Sequence, residues 1–267
     1  MVADAPEPSG PVIHSHRVIA ESFGDDPERY DRARPRYPRA LADAVIALLP
    51  GPRIVDVGIG TGISALPFRE AGAEVVGVEV DARMAERARS RGFEVDVSAF
   101  EDWPAPRSPY DGVIAGQAWH WIDPVAGPAK AASLLRPGGL LVPFWNSGDP
   151  QPEVAQGFAE VYRSVETGLP FTPYAAPLNA YAGMTERAAD GIRASGLFEE
   201  PGLLAFDWQT TISRADWLDV VPTMGGHSRI PRDALHELLD GLGRVVDENG
   251  GSFVMSYTTV AVTAKRS

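Results

Sequence analysis

The sequence contains no cysteine, which excludes disulfide bonds, thiolate nucleophiles and metal sites with cysteine ligands. It also has no apolar run of the ~18–20 residues that a membrane-spanning helix requires. Residues 1–11, MVADAPEPSGP, have neither the basic start nor the apolar core of a secretory signal. We therefore expect a cytoplasmic protein that does not associate with membranes.

Basic residues are also few relative to acidic ones. The chain has 24 Lys and Arg against 36 Asp and Glu, which gives a formal net charge of −12. Because nucleic-acid binding draws most of its affinity from cationic contacts to phosphates, we expect no nucleic-acid partner. The one basic cluster, ERYDRARPRYPR at 28–39, also contains acids. It is either a solvated loop that leads into a helix or part of a site.

Strand and helix patterns alternate along the first half of the chain. Five almost purely apolar segments predict strands: RIVDVG, EVVGVEVD, FEVDVSAF, YDGVIAGQA and LLVPFWN. Helical patterns lie between them, among them 64–73 and 82–92. This alternation predicts a parallel sheet with helices on both faces.

The pattern changes after residue 147. Two predicted helices, at about 152–166 and 184–196, flank a loop with Pro and Tyr and indicate a small helical cap inserted into the fold. A strand, LLAFDWQTTI, a strongly periodic helix, PRDALHELLDGLGRVVDENGG, and an alternating final strand, SFVMSYTTVAVTAK, complete the chain. The alternation in the final strand is typical of a sheet edge.

These patterns divide the chain into four parts. We predict a disordered arm, a cofactor-binding core, a cap with the substrate site, and a C-terminal completion of the core sheet. Their bounds are 1–19, 20–147, 148–200 and 201–267.

The segment RIVDVGIGTG at 53–62 places Gly58, Gly60 and Gly62 directly after a predicted strand. A strand, a glycine turn and a helix form the first half of a nucleotide-binding unit. Glu79 follows 21 residues after Gly58, at the end of the next strand, where a carboxylate would accept hydrogen bonds from two ribose hydroxyls. At this point NAD and S-adenosylmethionine are both candidates.

Three details favour S-adenosylmethionine. The dinucleotide pattern G-x-G-x-x-G fails from Gly58, because its last position is Ile63, and from Gly60 it begins two residues late. Asp56 lies inside the strand, and a buried carboxylate there suits a cationic sulfonium and ammonium better than a pyrophosphate. A P-loop is excluded, because no Gly-Lys-Ser/Thr follows.

Several motifs in this order resemble the class I S-adenosylmethionine-dependent methyltransferases. They are VDVGIGTG, VGVEVD, SAFEDWP, AGQAWHWID and LLRPGGLLVPFWN. Within that class the chain is similar to the type-11 small-molecule group, whose relatives include trans-aconitate methyltransferases, and SFGDDPERYDRARPRYP and the tail HSRIP…GG…YTTVAVTAKR fit the same group. The resemblance runs from about residue 20 to the end and is weakest over 148–205.

The resemblance implies a fold and a cofactor. The fold is α/β, with a Rossmann-like seven-stranded sheet that is mostly parallel, a last strand that is antiparallel, and helices on both faces. The cofactor is S-adenosyl-L-methionine, with S-adenosyl-L-homocysteine as the product. The backbone of the loop at Gly58, Gly60 and Gly62 would lie next to the methionyl part of the cofactor. Asp56 would help to hold that end, and Glu79 would bind the ribose. No metal is implied.

The resemblance places the adenine near Met84, at the start of the next helix. The acid that the family usually has after the third strand is replaced here by Ala99. We assign the adenine contacts to the backbone of Phe100 and to the side chain of Glu101 or Asp102. A solvated turn is the alternative for the two acids, and core packing is the alternative for Met84.

The remaining implied residues lie near the methyl group. Gln117 would line the pocket there, and His120 is the candidate catalytic base, with packing between two tryptophans as its alternative role. Tyr30 and Arg34 would fold over the cofactor, with Arg34 available for a carboxylate.

The methyl acceptor is expected to be a small molecule bound between the sheet and the cap. We favour O-methylation of a carboxylate or hydroxyl over transfer to nitrogen or carbon. Candidates to line the acceptor pocket are Trp145, Tyr162, Phe171, Tyr174, Tyr181 and His227.

Two other functions stay open at this point. One is a non-catalytic S-adenosylmethionine-binding regulator. The other is an NAD(P)-dependent reductase, which is disfavoured because 115–135 contains no Tyr-x-x-x-Lys pair. The chain is either a monomer or a homodimer.

Overall fold

The computed structural model describes residues 23–105, 109–175 and 180–267, without the side chains of Phe23, Ala180 and Tyr181. The predicted arm at 1–19 lies outside these residues. None of the helices in the described ranges is long and apolar enough to cross a membrane.

Seven strands form one sheet in the order β3-β2-β1-β4-β5-β7-β6. Strands β1 to β5 pair in parallel, and β7 is antiparallel to both β5 and β6. The predicted seven-stranded, mostly parallel sheet with an antiparallel last strand is therefore confirmed. The strands are β1 Arg53–Val57, β2 Glu74–Glu79, β3 Glu94–Val97, β4 Tyr110–Gly116, β5 Leu135–Pro150, β6 Gly202–Ser213 and β7 Ser252–Lys265.

The position of the final strand was predicted wrongly. Strand β7 does not form the edge of the sheet, because β5 and β6 flank it on its two sides. Neighbouring residues of β7 join different core clusters, Ala261 one and Val262 and Ala264 another. The chain instead leaves β3 and β6 at the edges, and β6 is the strand with alternating exposure.

Helices cover the two faces of the sheet. The α-helices are α1 Pro27–Ala33, α2 Arg39–Leu48, α3 Leu66–Glu70, α4 Ala82–Ser90, α5 Ala126–Leu134, α6 Pro152–Ser164, α7 Ala180–Ser195, α8 Arg214–Val220 and α9 Arg232–Glu248. The helix predicted at 64–73 is shorter than expected. It ends at Glu70, and Gly72 follows in the left-handed region at φ 98°, where glycine is favoured.

Alternate residues of the central strands point to opposite faces, as the pleat of a strand requires. Val55, Val113 and Leu141 join one core cluster with α5 and α7. Ile54 and Ile114 join another with α2 and α3. Burial on both faces explains why these strands are apolar throughout.

A third cluster lies beside the sheet, where α6, α8 and α9 pack together. Phe158 of α6 and Trp217 of α8 stack with ring centroids 5.1 Å apart, and Leu238 of α9 is fully buried. Of the two helices predicted for the cap, α6 belongs to this cluster, whereas α7 packs on the sheet. The division into cap and core stays a prediction.

The basic segment at 28–39 begins in a helix that ends at Ala33, so a solvated loop, one of the two alternatives for this segment, does not describe its first part. The side chain of Asp26 accepts the backbone N–H of Arg29 at 2.9 Å and Pro27 occupies the first turn, and both features favour a helix start. Asp31 of this helix is only 2% exposed. Helix α1 therefore packs into the fold through a charged residue.

Candidate functional site

The glycine loop after β1 requires its glycines. Gly58, Gly60 and Gly62 have φ values of 66°, 57° and 89°, which are left-handed conformations that side chains rarely adopt. A Cβ built on Gly58 would lie 2.6 Å from Cβ of Ala118. The loop therefore passes directly against the segment that follows β4.

The amides of this loop are bonded within the protein. The N–H groups of Gly58 and Ile59 donate to the carbonyl of Val78 at 2.8 and 3.2 Å, and the N–H of Gly60 donates to Oε2 of Glu79 at 2.8 Å. Loops that bind phosphate direct such amides to the ligand. These three amides are not available for that purpose.

Asp56 is fully buried beneath the loop. Its Oδ2 accepts the hydroxyl of Ser64 at 2.6 Å, whereas Oδ1 is buried without a hydrogen-bond partner. Burial, opposed by the hydrogen bond from Ser64 and reinforced by the nearby charge of Glu79, raises the pKa of Asp56 to about 8. A carboxylate oxygen left in this state fits a cationic group of a ligand.

Glu79, at the end of β2, holds the neighbouring loop. Its Oε1 accepts the N–H groups of Val80 and Asp81 at 2.9 and 3.0 Å, and its Oε2 accepts that of Gly60. Burial raises the pKa of Glu79, although these three hydrogen bonds act to lower it. Since a carboxylate accepts about four hydrogen bonds, roughly one acceptor position is left for a ligand.

Of the predicted adenine residues, Met84 lies at the glycine loop and Phe100 lies against the segment that follows β4. Met84 is buried, and its terminal methyl would lie 3.6 Å from a Cβ built on Gly60. Phe100 is buried against Trp119, with ring centroids 6.1 Å apart. Glu101 instead accepts the backbone N–H of Asp123 at 3.0 Å, so its carboxylate already has a partner.

Gln117 follows β4 in a strained conformation, with φ at 55°. Its backbone N–H donates to the carbonyl of Phe144 at 2.8 Å, and its side-chain amide donates to the carbonyl of Asn146 at 3.2 Å. Non-glycine residues in this region cost about 1–3 kcal/mol and cluster at functional sites. The strain marks this turn as a positioned element of the site.

His120 lies in a short 3₁₀ helix, Trp119–Trp121, after the same turn. Its Nδ1 accepts the indole N–H of Trp145 at 3.3 Å, and its ring lies 4.5 Å from that of Trp121. Because Nδ1 accepts, the proton of the neutral ring is on Nε2. In this tautomer Nε2 is a donor and not the lone pair of a base.

Tyr30 and Arg34 lie together at the end of α1. The guanidinium of Arg34 is 4.9 Å from the centre of the Tyr30 ring, and its Nη2 donates to the carbonyl of Thr223 at 2.9 Å. The N-terminal helix is thereby joined to the segment between α8 and α9.

The predicted acceptor residues lie in different surroundings. Tyr162 and His227 form a buried pair, and the Tyr174 ring lies 6.2 Å from that of Tyr162. Trp145 is fully buried, Phe171 is 62% exposed, and the side chain of Tyr181 lies outside the described part. Among the described residues, no group of three His, Asp or Glu side chains is arranged to hold a metal ion.

Ser64 and Asn146, which contact predicted site residues, were not predicted. Ser64 is the hydrogen-bond partner of Asp56. Asn146 is buried, donates to the carbonyl of Arg36 at 3.2 Å, and accepts the hydroxyl of Thr259 at 2.6 Å. A polar residue inside an apolar strand was the available signal for Asn146, because buried polar groups need partners.

The sequence matches a family described as a methyltransferase domain over residues 55–142. These residues include the glycine loop, Glu79 and the turn at Gln117. A relative from Aspergillus nomiae, O-methyltransferase rstn1, is 31% identical over 162 residues, which cover 54% of this chain and 71% of the relative. The chain belongs to the class I S-adenosylmethionine-dependent methyltransferases.

Two further similarities agree with this membership of the methyltransferases. An uncharacterized methyltransferase of Mycobacterium tuberculosis is 36% identical over 139 residues, or 51% of this chain and 56% of the relative. The chain thus spans little more than half the length of that relative. The structure of a candidate type II methyltransferase from Anaeromyxobacter dehalogenans has the same fold, with a TM-score of 0.60, 21% identity, and coverage of 86% of this chain and 97% of the other.

Proposed function

We propose that the protein transfers a methyl group from S-adenosyl-L-methionine to a small molecule. The observation that carries this proposal is the pair of buried carboxylates at the glycine loop, Asp56 and Glu79. Asp56 has an oxygen without a partner, and the loop amides are bonded internally. A cationic ligand would stabilise this arrangement, whereas a pyrophosphate would be repelled by it.

The chain's residues fit the parts of this cofactor. Asp56 would face the cationic methionyl end, and Glu79 would accept from the ribose. Met84 and Phe100 would flank the adenine. Because Oε1 of Glu101 already accepts a backbone N–H, only Oε2 would be left to accept a hydrogen bond from the adenine amino group.

When bound, the cofactor supplies an electrophilic methyl group on a sulfonium. The protein's part is to align the acceptor with that methyl group and to exclude water. Gln117 and His120 lie on the segment after β4, at the carboxyl edge of the sheet where ligands of open α/β sheets bind. We infer that these two side chains contact the reacting groups.

A carboxylate is the acceptor that this site favours. A carboxylate is already nucleophilic and needs positioning rather than a base. This agrees with a donor at Nε2 of His120, and Arg34 is a cation that could bind an acceptor carboxylate. The Aspergillus relative is named an O-methyltransferase, which supports transfer to oxygen. A hydroxyl acceptor would require a base that the ring of His120, bonded at Nδ1, does not provide.

The proposal is tested by calorimetry with three ligands. We expect S-adenosyl-L-methionine and S-adenosyl-L-homocysteine to bind and NADH not to bind. Binding of NADH alone would favour the reductase and overturn the proposal.

Binding and turnover are separated by a second experiment. Formation of S-adenosyl-L-homocysteine is measured against panels of small carboxylic acids, phenols and amines, and we expect turnover with acids. Binding without turnover on any panel would favour a non-catalytic regulator. The cytoplasmic location and the choice between monomer and homodimer stay predictions.

A further inference from the structure

A buried carboxylate on α1 connects the N-terminal helix to the glycine loop. Asp31 is 2% exposed, and its Oδ1 accepts the hydroxyl of Thr61 at 3.0 Å. Thr61 is itself buried and lies between Gly60 and Gly62. The bond therefore joins α1 to the middle of the loop that we propose to hold the cofactor.

Three guanidinium groups surround the same carboxylate. Arg87 donates to Oδ2 of Asp31 at 2.9 Å, and Arg91 donates to the same oxygen. Arg36 lies 3.7 Å from Oδ1 and also donates to the backbone carbonyl of Asp31 at 2.9 Å. Arg87 belongs to α4, the helix that follows Glu79, and Arg91 follows that helix directly. Asp31 thus joins three parts of the site.

The carboxylate is the counter-charge that allows these arginines to converge. Burial lowers the pKa of Arg91, Asp31 opposes this, and the charges of Arg36 and Arg87 lower the pKa further. One nitrogen of Arg91, Nη1, is buried without a hydrogen-bond partner. Without Asp31, the three like charges would face one another without a counter-ion, and Arg91, the most buried of them, would be affected most.

The opposite side of α1 provides a matched control. Asp219 of α8 pairs with Arg29 at 2.9 Å and with Arg32 at 2.8 Å. These two ion pairs also fasten α1, and they are more exposed than the cluster at Asp31. They involve no residue of the glycine loop.

We propose that Asp31 is a positioning residue for the cofactor. It holds Thr61, and with it the glycine loop, against α1, the helix that contains Tyr30 and is followed by Arg34. The inference rests on the proposed function, because the ligand concerned is S-adenosyl-L-methionine or its product. Asp31 itself acts through Thr61.

The test compares the full chain with Asp31→Asn, Thr61→Val and Asp219→Asn, and with the double variant of the first two. S-adenosyl-L-homocysteine affinity is measured by calorimetry. We expect Asp31→Asn and Thr61→Val to weaken binding by roughly tenfold or more. We expect the affinity of Asp219→Asn to stay within about twofold of wild type. The double variant should bind no more weakly than Asp31→Asn, because the effects of two residues that contact each other are not additive.

A second readout does not depend on turnover. Trypsin cleavage after Arg29 and Arg32 requires local opening of α1. We expect bound S-adenosyl-L-homocysteine to slow this cleavage in wild type, because loop and helix are coupled and coupling is reciprocal. Thr61→Val should lose much of this protection. If Asp31→Asn does not fold, Thr61→Val carries the test.

The outcomes separate this inference from the proposed function. If wild type does not bind S-adenosyl-L-homocysteine, the proposed function fails, and faster cleavage of ligand-free Asp31→Asn than of wild type would still support the anchoring of α1. If wild type binds but Asp31→Asn and Thr61→Val bind equally well, the inference is overturned. It is also overturned if Asp219→Asn weakens binding as much as Asp31→Asn.

Discussion

The phenol oxygen of Tyr162 lies 2.8 Å from Nε2 of His227 in the interior of the protein. Nδ1 of the same ring faces the carbonyl of Gly225 at 3.4 Å, so Nδ1 carries the proton and Nε2 accepts the phenol O–H. The pair joins α6 to the 3₁₀ helix His227–Arg229. This hydrogen bond requires a neutral imidazole, and burial keeps the ring neutral because it lowers the pKa of His227.

The His227 pair predicts a loss of stability in acid. Burial lowers the pKa of His227 to about 4; the hydrogen bond to the carbonyl of Gly225 opposes this shift, and the charge of Arg34 adds to it. In the unfolded chain the pKa of a histidine is ~6.5. The unfolded state therefore binds more protons between these values, and stability falls as pH drops from about 6.5 to 4. We expect wild type to lose about 3 kcal/mol relative to His227→Gln over this range.

Urea unfolding of both proteins at pH 7 and pH 4 measures this difference. The comparison with His227→Gln is needed because Asp56, whose pKa is raised to about 8, contributes with the opposite sign in the same range. Tyr162→Phe is the control, since it removes the hydroxyl but keeps the buried imidazole. Equal pH dependence in wild type and His227→Gln would contradict the assignment.

The sheet could be predicted because its signal is local. Burial on both faces makes each parallel strand an uninterrupted apolar run, and glycines mark the turns, so residues 53–147 were assigned in the right order. The place of β7 could not be predicted, since an alternating strand fits an edge or an interior position equally. Its neighbours are set by contacts with β5 and β6, which lie far away in sequence.

The candidate site was predictable where residues follow strands and was missed where contacts are distant. Glu79 was predicted from its place at the end of a strand, Asp56 from a carboxylate inside an apolar strand, and Gln117 from the family resemblance. The burial of Asp31 could not be predicted from the charged segment that contains it, because that burial depends on Arg87 and Arg91, more than fifty residues away. Only the folded arrangement makes that acid a buried counter-ion.

Asp56 predicts that cofactor binding releases a proton. A cationic ligand beside its unpaired oxygen would favour the charged carboxylate and lower the pKa from about 8. Near pH 7 we expect about one proton released per S-adenosyl-L-methionine bound, and an affinity that rises with pH up to about 8. Calorimetry in two buffers with different ionisation enthalpies measures the proton count.

Two variants sharpen the Asp56 prediction. Asp56→Asn should release no proton at this site and should bind with little dependence on pH. Ser64→Ala removes the donor that stabilises the charged form, so its proton release should persist to higher pH than in wild type. Identical heats in the two buffers for wild type would refute the linkage.

His120 is predicted to act as a hydrogen-bond donor. Glutamine can present an N–H near the position of Nε2, so we expect His120→Gln to keep kcat/KM within severalfold of wild type with the acid found in the screen. His120→Ala should lose roughly 10–100-fold, the contribution of a hydrogen bond to a charged group. Trp121→Phe, which alters only the ring beside His120, is the control. Equal losses of roughly 10²–10⁴-fold in both His120 variants would indicate a general base instead.

Gln117 is predicted to separate stability from activity. Its left-handed backbone, at φ 55°, is unfavourable for glutamine and favourable for glycine, so Gln117→Gly should be as stable as wild type or more stable by up to about 1 kcal/mol. The same change removes the amide that bonds to Asn146 and should lower kcat/KM. Gln117→Ala is the matched control, because it loses the amide but keeps the strain. We expect equal losses of activity in the two variants, and we expect Gln117→Gly to be more stable than Gln117→Ala. A glycine variant less stable than the alanine variant would show that the backbone strain is not released.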